Sequence, residues 1–369
     1  MSYTIEDTAR DESRQKIERE FATSPGKRLE LDLETGGSIE IAGWDQQLVR
    51  VRVSSTDRAS EFYEILFDES AAGIRIRSRY VGGRRNYSTD LKFEIRVPQR
   101  FDVKIKSEGG AIMIAGVEGR LGGKTGGGEL RLRDLKGELN LLTMGGDIIL
   151  VDSNVRGRVE TMGGHTLVQN VAGGVAVSSL GGNAVSAYDA VATADTTRNE
   201  IQIASPGGEL NVNEAPAGAD ISTLGGDINI ISATRFVKAK TNGGDINISS
   251  IDGWLYARTL SGNINARMTG DPSDGRRDAD LSSLSGDIRL VVPANLSMNI
   301  HIALAQTVNS EKDYSIISDF DLQRENSGEL VYDEGAPRKY LYGSGSINGG
   351  RNTIRIRTVN GDVYLTKEL

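Results

Sequence analysis

The sequence predicts an all-β fold, and more narrowly a parallel β-solenoid (β-helix) of about 18 residues per coil. A glycine-marked step recurs every 18 residues from Gly110 to Gly182 and again from Gly208 to Gly262. Aliphatic and polar residues alternate on both sides of these glycines, as they do in strands with one buried face. An antiparallel β-sandwich is the alternative fold, but a sandwich needs no exact repeat length.

The residue patterns divide the chain into four segments. Alternating charges at the start predict a short helix or a mobile lead, and period-two alternation then predicts strands. The period is lost near Pro293 and returns around Gly361. An atypical end is expected in a repeat array, because the last repeat would otherwise leave its strand edges open. Residues 1–24 are a charged helical or mobile lead, and residues 25–106 are an N-terminal β segment continuous with the solenoid. The regular coils occupy 107–292, and an irregular C-terminal segment with a final capping coil occupies 293–369.

Two insertions interrupt the regular coils. The glycine spacing lengthens to 26 residues between Gly182 and Gly208, and to 24 residues between Gly262 and Gly286. Insertions in solenoids leave as loops from one edge, and such loops often carry function. The sequence therefore predicts interaction loops with these candidate residues: Tyr188, Asp189, Asp195, Asp271, Asp274 and Arg276.

Three residue types repeat at every corner. The second glycine of a step is often followed by an acidic or amide residue, and a serine or threonine stands three positions before it. Short polar side chains beside tight turns commonly hydrogen-bond the turn backbone. The sequence predicts such structural turn and ladder roles for Gly128, Gly146, Gly164, Gly226, Gly244, Thr143, Thr161, Thr223, Thr241, Asp147, Asp227 and Asp245.

The repeated acidic position raises the question of a calcium site, because stacked carboxylates are calcium ligands. Carboxylates at strand spacing repel each other by about 1 kcal/mol in water. His165, Asn183 and Asn263 also interrupt the column. Turn capping is the preferred interpretation, so no cofactor, metal or catalytic residue is predicted.

Composition excludes several classes of function. The formal net charge of −8 argues against nucleic acid as the partner, because phosphate binding needs a cationic surface. The chain has no cysteine, which excludes disulfides and thiolate metal sites. No apolar run is long enough to span a membrane, and the first residues lack the apolar core of a secretory signal.

One segment, residues 74–106, holds ten cations against three anions. Such a run could bind acidic polymers or anionic lipid headgroups. However, Arg75 and Arg77 alternate with Ile74 and Ile76. The preferred interpretation is therefore the outward face of a strand.

Three stretches carry a resemblance to a known family. They are GGSIEIAGWD at 36–45 with VRVRV at 49–53, IRVP at 95–98, and GSINGG at 345–350 with RTVNGDV at 357–363. In combination they resemble the bacterial putative-adhesin β-strand repeat family, also called the toastrack domain and similar to the head domain of putative autotransporter adhesins. The resemblance implies a β-solenoid that is periplasmic, on the cell surface or secreted, with no established catalytic residues.

These observations predict a non-catalytic envelope or surface protein that acts in adhesion, in binding of a protein or glycan, or as an envelope scaffold. One alternative is a carbohydrate-active solenoid enzyme of the lyase or hydrolase type, although aromatic residues are few between 111 and 290. Another is a bactofilin-like scaffold that self-associates through the solenoid ends. No signal peptide is visible, so a cytoplasmic location remains the alternative.

Overall fold

A computed structural model describes residues 15–55, 63–81, 90–187, 200–310, 312–332 and 337–368. Every regular element in these ranges is a strand, so the predicted all-β class is confirmed. The chain forms two compact units, unit 1 (Met1–Gly181) and unit 2 (Gly182–Leu369), each with its own hydrophobic core. Tyr188, Asp189 and Asp195 of the first predicted interaction loop lie outside the described residues.

Unit 1 contains fifteen of the described strands. They are β1 (Gln15–Ala22), β2 (Arg28–Leu33), β3 (Ser38–Trp44), β4 (Leu48–Ser55), β5 (Tyr63–Ser70), β6 (Gly73–Tyr80), β7 (Lys92–Pro98), β8 (Asp102–Ser107), β9 (Ile112–Ala115), β10 (Glu118–Thr125), β11 (Leu130–Arg133), β12 (Lys136–Thr143), β13 (Ile148–Thr161), β14 (Thr166–Ala172) and β15 (Val175–Ser179).

Unit 2 contains the other fifteen. They are β16 (Ala184–Ala187), β17 (Ile201–Ser205), β18 (Leu210–Ala215), β19 (Ala219–Thr223), β20 (Ile228–Lys240), β21 (Ile246–Thr259), β22 (Ile264–Met268), β23 (Ala279–Ser283), β24 (Ile288–Val292), β25 (Met298–Thr307), β26 (Ile316–Ser318), β27 (Gln323–Asn326), β28 (Arg338–Ile347), β29 (Asn352–Val359) and β30 (Val363–Lys367).

Strands in the later part of unit 1 pair in parallel with the equivalent strand of the next repeat. Leu121 of β10 lies opposite Leu139 of β12, and Leu130 of β11 lies opposite Ile148 of β13. All four side chains are buried. Because successive side chains of a strand point to opposite faces, this register stacks aliphatic residues inside and leaves polar residues outside.

The N-terminal strands of unit 1 pair in both directions. β2 is parallel to β6 and β8, and β3 is parallel to β7 and β9. In contrast, β5 and β6 form an antiparallel pair, and β4 is antiparallel to both β1 and β7. The array therefore starts from an atypical, mixed arrangement.

The charged lead differs from its prediction. The described part of residues 1–24 contains strand β1 rather than a helix. Its alternating pattern places Phe21 against the core, where its ring stacks on Phe67 at 6.0 Å. Glu18 on the other face accepts a hydrogen bond from Arg52 of β4 at 2.9 Å. Alternating charges thus match the two-residue period of a strand that lies beside a complementary neighbour.

Unit 2 continues the parallel pattern through two rows of strands. Leu210, Ile228 and Ile246 stand opposite one another in successive strands β18, β20 and β21. The long strands β20 and β21 run past a bend and contribute to the second row as well, where Val237 lies opposite Leu255. These residues are fully buried, so both rows enclose one core.

In unit 2, the strands before and after the aperiodic C-terminal segment pair with each other. Ile288 of β24 lies opposite Val363 of β30, and Ala279 of β23 lies opposite Ile354 of β29. The final repeat therefore stacks directly on the repeat before the break. Within the intervening chain, β25 pairs in parallel with β29, and β28 then pairs antiparallel to β25.

Candidate functional site

The corner hydroxyls join neighbouring repeats. In unit 1, Thr143 Oγ1 donates to the carbonyl of Gly128 at 2.9 Å and accepts from the amide of Gly146 at 3.2 Å. In unit 2, Thr241 makes the same two contacts with Gly226 and Gly244, at 2.9 and 3.2 Å. Thr161 and Thr223 repeat the pattern. Each hydroxyl therefore satisfies two buried backbone groups, one in its own corner and one in the corner before.

The corner glycines leave no room for a side chain. A Cβ on Gly146 would lie 1.9 Å from the carbonyl oxygen of Gly128, and one on Gly226 would lie 2.1 Å from that of Gly208. A Cβ on Gly164 or Gly244 would likewise lie 2.2 Å from the carbonyl oxygen of the preceding corner glycine. The repeated glycine is thus required by the close approach of two backbones.

The acidic position hydrogen-bonds the next repeat. Asp147 Oδ1 accepts from the amide of His165 at 2.8 Å, and Asp227 Oδ1 accepts from the amide of Asp245 at 2.8 Å. Asp245 in turn accepts from the amide of Asn263 at 2.7 Å. Among the described residues no group of three or more acidic or histidine side chains is arranged to hold a metal ion.

Unit 2 also contains a ladder of asparagines. The side-chain amide of Asn229 donates to Asn211, that of Asn247 to Asn229, and that of Asn265 to Asn247, at 2.9 to 3.0 Å. These residues occupy the position three after the second glycine. This ladder was not predicted from the sequence, although the 18-residue spacing of Asn211, Asn229, Asn247 and Asn265 is a signal for it.

The second insertion is anchored by a buried arginine. Arg277 is 3% exposed, pairs with Asp252 at 2.7 Å and donates to the carbonyl of Asp271. The Asp271 carboxylate accepts from the Ser273 hydroxyl and amide, and these hydrogen bonds lower its pKa. Asp274 is exposed, with its amide bonded to the carbonyl of Asp271. The loop is therefore packed onto unit 2.

Arg276, the last candidate of this insertion, joins a row of aromatic side chains. Its guanidinium lies 5.3 Å from the ring of Trp254 and bonds Asp278 at 2.5 Å. Trp254 stacks on Phe236 with ring centroids 5.1 Å apart. Both rings are half-buried on the outer surface of β20 and β21.

The same outer surface gathers arginines and tyrosines from three strands. We call it the arginine–tyrosine face, defined by Tyr256, Arg258, Arg338, Tyr340, Tyr342, Arg355 and Arg357. Arg258 of β21 shares a row with Ser282, Arg357, Ala303 and Tyr342 of the neighbouring strands. In this row the short side chains of Ser282 and Ala303 lie on either side of Arg357 and leave a depression beside it.

A cavity of about 280 Å³ lies in this depression. Tyr256, Arg258, Arg338, Tyr340 and Arg357 line it together with Asp280 and small residues. Asp280 bonds Arg357 at 2.8 Å and lies 3.7 Å from Arg355. The three lining arginines against one lining carboxylate give a formal charge of 3 − 1 = +2. A second cavity, of about 380 Å³, adjoins it at Ala303 and Arg357.

A larger cavity, of about 790 Å³, occurs in unit 1. Its lining includes the carboxylates of Glu34, Asp90 and Glu108. The single lining cation, Lys106, lies 3.3 Å from Asp32. The chain on its rim continues from Val81 into residues outside the described ranges, so no site is assigned there.

Most described cations of segment 74–106 are paired with carboxylates. Arg77 bonds Asp68 at 2.7 Å, Arg79 bonds Glu64 at 2.9 Å, and Lys92 bonds Glu94 at 2.7 Å, which raises the pKa of Lys92. Further pairs at 3.3 to 3.5 Å are Arg75–Asp32, Lys104–Glu30, Lys106–Asp32 and Arg100–Glu118. Arg96 instead lies 5.9 Å from the ring of Trp44, and Arg84 and Arg85 lie outside the described residues.

The chain was compared with known proteins. The family model described as Toastrack DUF4097 matches residues 9–366. No curated protein matches. The helices that a membrane span would need do not occur among the described residues.

Several solved structures match at low identity. A putative cell adhesion protein from Clostridium sporogenes is 9% identical over 96% of this chain and 100% of its own, with a TM-score of 0.19. A putative adhesin from Parabacteroides merdae is 10% identical over 73% and 97%, with a TM-score of 0.34. A putative lipid binding protein from Parabacteroides distasonis is 8% identical over 97% and 98%, with a TM-score of 0.26. At these TM-scores the matches carry no argument about function.

Proposed function

Since this chain belongs to the Toastrack DUF4097 family, we propose that it is a non-catalytic binding protein of the cell envelope or cell surface. The binding surface in this proposal is the arginine–tyrosine face of unit 2. Its partner is an envelope or surface glycan that carries acidic groups. No cofactor is part of the proposal.

The proposal includes a finer description of the fold. The strand rows are successive coils of a parallel β-solenoid with about 18 residues per coil. Support comes from the registers, in which Leu121 stands opposite Leu139 and Ile228 opposite Ile246. Hydrogen bonds between corner residues that are 18 positions apart give independent support, for example from the amide of Asp245 to the carboxylate of Asp227.

One observation carries the binding role. Arginines that no described carboxylate matches lie beside tyrosines around a depression, although the whole chain is acidic with a net charge of −8. A local cationic surface on an acidic protein is an electrostatic feature that favours anionic partners. Tyrosine and arginine are also the side chains that binding surfaces use most.

The contacts of the acidic corner residues support a role without catalysis. General acid–base chemistry needs a carboxyl group with a free oxygen directed at a substrate. Asp147, Asp227 and Asp245 each use Oδ1 to accept a backbone amide of the next repeat. The corner hydrogen bonds account for these carboxylates without a catalytic role.

A binding and cleavage screen tests the proposal. Purified bacterial envelope polysaccharides, acidic and neutral, are immobilised, and both retention of the protein and release of new reducing ends are measured. Retention of acidic polymers without new ends is the expected result. New ends would favour the carbohydrate-active enzyme, whereas no retention of any polymer would contradict the binding function. Light scattering over a concentration series detects the filaments that a self-assembling scaffold would form.

A further inference from the structure

We propose that the cavity beside Arg338 is an oxyanion subsite that holds the carboxylate or sulfate of one acidic sugar unit, with the sugar ring against Tyr340. This inference rests on the proposed glycan-binding function and adds the chemical group that is recognised. It also names the arginine that recognises it.

The first argument is an unsatisfied donor. The Nε atom of Arg338 is buried and has no hydrogen-bond partner within the described ranges. The backbone of Arg338 is fixed by two hydrogen bonds with Val331, at 2.8 and 3.1 Å. A buried donor without an acceptor is unfavourable. Arg338 lines the cavity, and an oxyanion bound there would supply the acceptor once the side chain turns to bring Nε to the cavity.

The second argument is the charge around the cavity. Arg258 has no carboxylate within 4.0 Å among the described residues, and Arg357 shares Asp280 with Arg355. Guanidinium groups present several N–H donors in a planar fork that matches a carboxylate or sulfate. An anion that enters the cavity therefore meets Arg258 and Arg338, which have no carboxylate within 4.0 Å in the part of the chain that the structure describes.

The third argument is the shape of the lining. Tyr340 lines this cavity and Tyr342 lines the adjoining one, and their rings are parallel within 5° with centroids 5.7 Å apart. Such rings present an apolar face and a polar tip to a ligand. The volume of about 280 Å³ is near the lower end of ligand pockets, about 300 Å³. It suits one sugar unit rather than a large cofactor.

The net charge of the whole chain narrows the ligand further. At −8, the protein repels densely charged polymers such as nucleic acids at long range. A short acidic oligosaccharide carries few charges and needs only one favourable local contact. This difference favours a short acidic oligosaccharide over a long polyanion.

The test compares chemically matched probes. Calorimetric titration measures binding of oligogalacturonate, of its methyl ester, and of a sulfated galactan oligosaccharide to the full chain. The acid is expected to bind at least about tenfold more tightly than the ester, because esterification removes the charge that Arg338 and Arg258 recognise. Comparison of the carboxylate and sulfate probes identifies the preferred oxyanion.

Variants then assign the contact. Arg338→Gln is expected to weaken binding of the acid by about tenfold or more and to leave ester binding unchanged, while Arg338→Lys recovers only part of the loss because it lacks the fork. Arg258→Ala, at an exposed position, gives a second test should Arg338→Gln unfold the protein. Arg77→Ala in unit 1 is the matched control, because that arginine is paired with Asp68.

The outcomes separate this subsite from the general function. Equal binding of acid and ester, or acid binding that neither Arg338→Gln nor Arg258→Ala weakens, overturns the subsite. If envelope polysaccharides are still retained in that case, the binding function stands. If none of the probes and none of the polysaccharides binds, both proposals fail together.

Discussion

Two cation-rich regions of this molecule differ in where their counter-charges come from. In unit 1, residues 74–106 form a dense run of cations, yet Arg77, Arg79 and Lys92 each contact a carboxylate on an adjacent strand or beside them. In unit 2, Arg258 and Arg338 come from strands far apart in sequence. Neither has a carboxylate within 4.0 Å among the described residues.

The difference shows that a cation run in sequence need not be a cationic surface. In a strand, the run alternates with aliphatic residues, so its charges face one side and meet the carboxylates of neighbouring strands. The arginine–tyrosine face was not visible as a run, because β21, β28 and β29 each contribute only two or three of its residues. Pairing of cations with carboxylates on neighbouring strands, rather than the density of cations along the sequence, decides which region is available for an anionic ligand.

The largest expected effect tests what the two units have in common. Gly146→Ala in unit 1 and Gly226→Ala in unit 2 should each lower the free energy of unfolding by about 3 kcal/mol or more, because the new Cβ collides with a backbone carbonyl that cannot withdraw easily. Urea unfolding measures the loss. The contact distances of 1.9 and 2.1 Å predict similar costs in both units.

Neighbouring glycines provide the controls for this pair. A Cβ on Gly145 would meet nothing within 4 Å, and one on Gly225 would only touch a carbonyl at 4.0 Å. Gly145→Ala and Gly225→Ala should therefore be close to neutral. A large loss in one unit alone would show that the corners of the two units are not equivalent.

A smaller effect sharpens the contrast in charge matching. Asp280→Asn removes the one carboxylate that Arg355 and Arg357 share. Because a unit charge a few ångströms away contributes on the order of 1 kcal/mol in water, oligogalacturonate should bind about three- to fivefold more tightly. Calorimetry measures the change, with Asp68→Asn in unit 1 as the matched control. Unchanged or weaker binding by Asp280→Asn would contradict the role of this face.

The smallest effect concerns the matched cations of unit 1. Arg77→Ala removes a partly exposed ion pair with Asp68. Such pairs contribute about 0–1 kcal/mol, so the free energy of unfolding should fall by less than about 1 kcal/mol. Retention on acidic polysaccharides should not change. A clear loss of retention would mean that unit 1 also provides a binding surface, and the comparison above would no longer hold.

The sequence predicted the parts of the fold that repeat. Corner roles could be predicted for glycines such as Gly146 and hydroxyls such as that of Thr143, because equivalent residues recur every 18 positions and each acts within its own corner. For the described part of the lead the prediction of a helix was wrong, since its alternating charges suit a strand as well as a helix. The asparagine ladder was missed although Asn229 and Asn247 are 18 residues apart.

The face could not be predicted, because it depends on contacts that no period encodes. Tyr340 and Tyr342 belong to the aperiodic segment, and their place beside Arg357 follows only from the antiparallel pairing of β28 with β25. The last repeat also pairs with the repeat that precedes the aperiodic segment, so Ile288 lies opposite Val363. The large separation of these two residues in the sequence gives no indication that their strands are neighbours.

The corner hydrogen bonds have a consequence for how such a chain can change its length in evolution. Asp147, Asp227 and Asp245 each bond the amide 18 residues further on, and hydroxyls such as that of Thr241 bond the corner before. An in-frame duplication or deletion of one whole period leaves every such bond with a new but equivalent partner. A change of one residue would instead turn the aliphatic face outward. Gene segments of one period are therefore the natural unit by which this family can gain or lose surface while the corners stay intact.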